Sequence, residues 1–207
     1  MANVKITDLT AATTPLAGTE LFETVQGGTS KKVAASDIGN SANAVPFLSL
    51  AGRAYISAYS NTDQTGSVSA ATAVKLENIV TSPTVGITIA NDGSGNPTRI
   101  TFAAAGTYAL APSIQFANST ASDHDATIWF RLNGTNIANS ATITNIPKVA
   151  DGGAHFFQIV IYEQVTAGQY IEIMWLPENV GVTIDFTAAG AIAPAVPSVI
   201  LAAERIA

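Results

Sequence analysis

The 207-residue sequence has no cysteine, which excludes a disulfide scaffold, a thiol nucleophile and any cysteine-ligated zinc or iron–sulfur centre. Stability must come from packing and assembly. Histidine is scarce, with only His124 and His155, so little histidine-based catalysis and no histidine-rich metal site can be built. Charge is short as well. Charged residues make up 12% of the chain, about half the usual share of roughly 25% in soluble domains. The nine basic residues are outnumbered by fifteen acidic ones, for a net charge of −6, so no affinity for nucleic acid through counterion release is expected. Lys31-Lys32, the nearest thing to a basic patch, reads as a solvated turn or strand start. A long apolar run is also missing. The most hydrophobic tract, Ala188 to Ala203, is broken by Gly190, Pro194 and Pro197 and falls short of the roughly 20 residues of a membrane helix. It is expected to be a buried strand or an intersubunit contact, with no membrane insertion. The N-terminus has no apolar stretch behind a positive region, so no secretory signal is expected.

What is present is apolar: 47% of residues are hydrophobic. So much apolar side chain with so little charge implies that much of the surface faces other protein. The length allows one sandwich domain plus an appendage. In the first forty residues Ile6, Leu9, Leu16, Leu21, Phe22 and Val25 are spaced irregularly among Thr, Ala, Gly and Pro, too few to bury a core. Within them Glu20 to Gln26 alternates as a strand, Gln26-Gly27-Gly28-Thr29 supplies a turn, and Ser30 to Ala34 can return as its partner, a β-hairpin. Ser36-Asp37-Ile38 reads as the cap of a brief helical turn, and residues 39–46 as a linker. The expected division is 1–45 for a docking segment with its linker and 46–207 for the main domain.

From Arg53 onward, runs of β-branched and aromatic residues are cut by Gly, Asn, Asp and Pro at sandwich-like intervals. Eleven strands are expected, at 54–59, 72–76, 85–89, 99–102, 106–116, 126–132, 141–146, 154–165, 170–176, 182–186 and 198–205. That is too many for one small open sheet, so two packed sheets follow. Asn91 to Pro97 must be a loop tip, and Asn133-Gly134 is the strongest hairpin signal in the chain.

Few residues could carry chemistry. In Asp123-His124-Asp125, neighbours on a strand point to opposite faces and do not converge on a metal, so a polar lead into the next strand is expected. His155 is expected to cap a turn or line a symmetry axis. Glu163, Glu172, Glu178 and Asp185 are the carboxylates available for glycoside hydrolysis, with Glu163 and Glu172 explained by solvent-facing alternation. Gly27-Gly28 and Gly152-Gly153 lack the Lys or helix that would cradle phosphate. Tyr55, Tyr59, Trp129 and Trp175 could stack on sugars, but strand context places them in a core or interface. No catalytic residue, metal or cofactor is expected, and the chain reads as a non-enzyme.

Two stretches resemble known families. Val4 to Val33, including Leu16-Ala17-Gly18-Thr19-Glu20-Leu21-Phe22-Glu23-Thr24-Val25-Gln26-Gly27-Gly28-Thr29, resembles the short N-terminal module of phage tail fibres, tailspikes and other virion appendages. The resemblance implies docking to the particle through Ile6, Leu9, Leu16, Leu21, Phe22 and Val25. Phe102-Ala103-Ala104-Ala105-Gly106-Thr107-Tyr108, the strand Ile128 to Leu132 ending in Asn133-Gly134, and Val165-Thr166-Ala167-Gly168-Gln169-Tyr170-Ile171-Glu172-Ile173 resemble the trimeric jelly-roll domains of the C1q and tumour-necrosis-factor type. Gln169 stands where an acidic residue is common, which leaves the turn intact but gives no support for calcium there.

The expected fold is therefore all-β, a C1q/TNF-like jelly-roll sandwich carrying a small N-terminal hairpin segment. The resemblance implies a homotrimer, and Val199, Ile200 and Leu201 are the expected interface residues. It also implies a phage virion structural protein on the outer surface of the particle, made in the host cytoplasm. A capsid decoration, cement or head-fibre protein docked on capsid or other virion proteins is favoured by shortness. The alternative is a short tail fibre or tail-tip protein binding a host surface receptor or glycan.

Overall fold

The computed structural model describes residues 21–26, 29–34, 53–80 and 84–207, with the backbone alone for the first two of these stretches. The chain divides into two units, Met1–Gly52 and Arg53–Ala207. In the first, β1 (Leu21–Gln26) and β2 (Thr29–Ala34) form an antiparallel ladder from Leu21 opposite Ala34 to Gln26 opposite Thr29, the hairpin that the alternation predicts. The expected helical turn at 36–38 and the linker at 39–46 lie outside the described residues.

The second unit is built from β3 (Tyr55–Ser60), β4 (Gln64–Thr65), β5 (Thr72–Ala73), β6 (Asn78–Ile79), β7 (Ile87–Asn91), β8 (Pro97–Phe102), β9 (Gly106–Asn118), β10 (His124–Leu132), β11 (Thr135–Asn136), β12 (Thr142–Ile146), β13 (Ala154–Gln158), β14 (Ile161–Val165), β15 (Tyr170–Pro177), β16 (Val182–Ile184) and β17 (Val199–Arg205). One turn of 3-10 helix at Val149–Asp151 is the only helix among the described residues. All ladders are antiparallel. One sheet runs β7-β8-β15-β10, with β11 and β12 on the far side of β10. The other runs β3-β17-β9, with β13 and β14 beyond. Lettered A to H in chain order as β3, β8, β9, β10, β12, β13 with β14, β15 and β17, the main strands lie B-G-D-E in one sheet and A-H-C-F in the other. That order is a jelly roll.

Strict alternation explains the packing. In β9 the side chains of Tyr108, Leu110, Ile114 and Phe116 enter the core, where they meet Phe102, Phe130, Ile171, Trp175 and Leu201 from the other strands. Asn133 and Gly134 both have positive φ, 49° and 81°, the geometry of a two-residue hairpin turn that only such residues adopt cheaply. The carboxylate of Asp92 accepts from the amides of Ser94 and Asn96 at 2.7 and 2.9 Å, closing the Asn91–Pro97 loop.

One expected strand comes out broken, and two expected separately, 182–186 and 198–205, prove to be the halves of one interrupted strand, each for a visible reason. The run 154–165 splits into β13 and β14 because Ile159 falls opposite Pro112 of β9. Ile159 N–H reaches Pro112 O at 3.4 Å, but proline has no N–H to return. The second break is larger. Phe116 and Ala117 of β9 pair with β13 on one side and β16 on the other, while Ile114 pairs with β13 and β17. So β16 and β17 lie end to end along one flank of β9 as a single interrupted strand. Between them Gln115 O accepts from Asp185 N at 2.8 Å and Gln115 N donates to Ser198 O at 2.9 Å. Residues 186–197 leave the ladder at one point and rejoin it at the same point. The Ala188–Ala203 tract is thus half excursion and half strand.

Candidate functional site

The chemistry-bearing side chains do not converge, and no group of three or more His, Cys, Asp or Glu able to hold a metal exists among the described residues. Asp123 accepts from Lys148 N at 2.9 Å, His124 Nδ1 lies 3.3 Å from the Glu178 carboxylate, and Asp125 accepts from the Asn145 amide at 2.9 Å. The Asp125 amide, followed by the His124 contact, holds the Glu178 carboxyl below its usual range. His155 does not cap a turn: its Nε2 meets the Thr144 hydroxyl at 2.8 Å, tying β13 to β12 across the two sheets. Glu172 is not solvent-facing, as alternation predicts, but buried, with Thr98 Oγ1 at 3.0 Å and Arg99 Nε at 3.8 Å. Asp185 is pushed upward by burial and then by the neighbouring charge of Asp63. Trp175 is fully buried against Phe116. Trp129 is half-buried on the outer face of the first sheet, donating its indole N–H to Asn136 at 2.8 Å, beside Arg131. Arg99 covers the Tyr170 ring at 4.4 Å.

The two outer faces of the sandwich differ. The face of β8, β15 and β10 carries Arg99, Glu172, Arg131 and Asp125. On the other face, the outward positions of β9 read Thr107, Ala109, Ala111, Ser113, Gln115 and Ala117. β3 adds Tyr55, Ser57 and Tyr59, and β13 and β14 add Phe156, Gln158 and Tyr162. Along these strands and β17 the one charged outward residue is Glu204, at the end of the sheet, 3.7 Å from Arg53. Phe156 is 53% and Tyr162 66% exposed. Between Tyr55 on β3 and Tyr162 on β14 lies a groove of about 400 Å³ with a floor of Ala109, Ala111 and Ala202, lined also by Val160 and by Glu204.

Of the expected interface residues, Ile200 points outward and is 42% exposed, while Val199 and Leu201 are wholly buried in the protomer's own core. Of the expected docking residues, Leu21, Phe22 and Val25 fall on β1, whose side chains are not described, and Ile6, Leu9 and Leu16 lie outside the described residues.

The excursion at 186–197 completes this face. Its neck is held on both flanks: Gln115 on one side, and on the other Asp63, whose carboxylate accepts from Phe186 N at 2.7 Å, with Ser60 O accepting from Ser198 N at 2.9 Å. A chain hemmed in by ladders on both sides can leave a sheet only through one of its faces, and the inner face is the packed core. The excursion therefore stands on the outer face. It is a hairpin arm: Thr187 and Val196 exchange both backbone bonds at 3.1 and 2.8 Å, and Gly190 N donates to Ala193 O at 3.0 Å at the tip. Ile192 at the tip is fully exposed, at 101%. No charged residue occurs between Asp185 and Glu204, a signal that the sequence carries without marking it as an arm.

A scan of protein-family models and a search of curated proteins found no match. Similar solved structures include murine APRIL at pH 8.5, with 11% identity and a TM-score of 0.47, covering 74% of this chain and 99% of that chain. Murine APRIL at pH 8.0 is 10% identical with a TM-score of 0.48 over the same shares. Eiger TNF from S. frugiperda is 9% identical with a TM-score of 0.46, covering 75% of this chain and 94% of that chain. The jelly-roll assignment rests on the strand order and register given above.

Proposed function

We propose that the chain is a non-catalytic virion structural protein of a tailed phage: a homotrimeric jelly-roll knob that its first 45 or so residues dock to the particle. The observation that carries the assembly is the face of β3, β17, β9, β13 and β14, free of charge apart from Glu204 at its end. The 36 residues of these strands rise about 3.4 Å each, with about 4.8 Å between strands. The footprint is therefore about 600 Å², the lower end of the per-partner area of standard protein interfaces. A surface of that size so poor in charge, with Phe156 and Tyr162 exposed on it, is an interaction surface. Trimeric closure is supported by the motif resemblance at Phe102–Tyr108, Ile128–Gly134 and Val165–Ile173, and the particle by the resemblance of Val4–Val33.

Decoration, cementing or a head fibre is the favoured role. The tail-fibre reading has one observation of its own, the Trp129, Arg131, Tyr170 and Arg99 surface on the opposite sheet, whose aromatic and guanidinium groups suit a host glycan. Cryo-electron microscopy of the particle tests both. Threefold knobs on the shell are expected for decoration, density confined to the tail transfers the chain to receptor binding, and absence from the particle ends the virion reading.

A further inference from the structure

We infer that the arm at residues 186–197 is an exchange device: Ile192 of one copy seats in the alanine-floored groove between Tyr55 and Tyr162 of a second copy. This rests on the assembly reading above and specifies how that assembly is locked. The arm and the groove lie on the same face, the arm rooted at Gln115 beside Asp63 and Asp185 and the groove at Ala109, Ala111 and Ala202. The stretch from Thr187 to Ile192 reaches about 15 to 20 Å from that root, long enough to cross to a neighbouring subunit. Ile192 touches nothing of its own chain, being fully exposed, so its own groove is left open to another tip. The occupant argued for is a second copy because the tip is apolar, the groove has an alanine floor between two tyrosines, and both are continuous with a face of interface size. A tip and a groove at different places on one surface make a heterologous contact, which three copies can close into a ring.

The absence of cysteine from the chain makes the test clean. Ile192→Cys and Ala202→Cys are introduced together; both positions are exposed, so folding is preserved. Under mild oxidation, non-reducing electrophoresis should give a covalent trimer, with neither single variant forming one. Ile192→Asp should weaken self-association by about 10- to 100-fold, as expected for removing one buried isoleucine side chain per contact. Three results overturn the arm exchange while leaving the assembly reading in place: an oligomer in which the thiol introduced at the arm tip stays free and open to maleimide, which assigns the tip to some other partner; an oligomer of chains cross-linked only internally, which means the tip folds onto its own groove; and an Ile192→Asp variant that assembles normally. A wild-type chain that stays monomeric at high concentration overturns both.

Discussion

Neighbouring residues of β17 should behave as opposites. Leu201 has no exposed surface and sits opposite Pro112 and Ala58, whereas Ile200 is 42% exposed and sits opposite Ser113 and Tyr59 on the outer face. Leu201→Asp loses about 1.5 to 3 kcal/mol of side-chain burial. It also places in the core a carboxyl with no partner, which must either stay ionised or hold a proton against a pKa raised by some 3 to 5 units. At neutral pH that adds about 4 kcal/mol, because a pKa raised past 7 leaves the group protonated and the cost is then fixed by the gap between pH 7 and the free Asp value. The sum, about 5 to 7 kcal/mol, consumes much or all of the stability of an ordinary domain, roughly 5 to 15 kcal/mol. Ile200→Asp changes a position already in water and should cost the protomer at most about 1 kcal/mol. In the assembly it puts an unpaired charge into the middle of an apolar contact. Urea titration by circular dichroism, with light scattering across a concentration series, separates the two. Leu201→Asp should be unfolded or aggregated, and Ile200→Asp should be a folded monomer with a nearly unchanged urea midpoint at low concentration. A folded, native-like Leu201→Asp would refute the parity of the strand, and an Ile200→Asp that assembles like wild type would refute the placement of the interface.

Three further perturbations test local physics. Tyr108→Phe keeps the ring 4.4 Å from Phe102 but deletes the hydroxyl that donates to Ala104 O at 2.9 Å; it should cost about 1 kcal/mol and lower the Tm by about 2 to 4 °C. Because burial and Asp63 raise the folded-state pKa of Asp185, the native state holds its proton more tightly than the unfolded chain. Stability from this group is present at low pH and falls as pH rises through the window between the ordinary carboxylate value and the raised one. Asp185→Asn should therefore melt like wild type near pH 3 and above it at pH 7, and an unchanged difference across that range refutes the account. Pro112→Val supplies the missing N–H opposite Ile159, so the new amide at 112 should exchange slowly and β13 and β14 should join; fast exchange there would show that something other than proline breaks the strand.

Much of the main domain is legible in the sequence because period-two alternation and turn chemistry are local. The hairpin at Asn133-Gly134, the loop closed by Asp92 and most strand limits follow from residues within a few positions of one another. What is not legible depends on partners far along the chain. Glu172 looks like an outward residue on an alternating strand, and nothing nearby in sequence says that Thr98 and Arg99 will bury it. The break at Ile159 has its cause 47 positions earlier at Pro112, visible only once the register brings the two together.

β17 shows the limit most clearly. Both of its faces are apolar, with Val199, Leu201 and Ala203 on one and Ile200 and Ala202 on the other, so hydrophobicity alone does not say which parity faces the core. Glu204, in step with Ile200 and Ala202, is the one local clue. The same holds for the preceding tract. Gly190, Pro194 and Pro197 are enough to exclude a membrane helix, yet they exclude an uninterrupted ladder for the same reason, since proline has no N–H to contribute. A tract barred from both must leave the sheet, and Gln115 bonding to Asp185 and Ser198 marks where it does so. Solvation alone would be served better by Ser, Asn or Lys than by Ala, Ile, Pro and Val on such an arm. Its apolar composition is accounted for once the arm lies against another surface, and the face on which it stands is the one whose alanines and tyrosines lack a partner within the protomer.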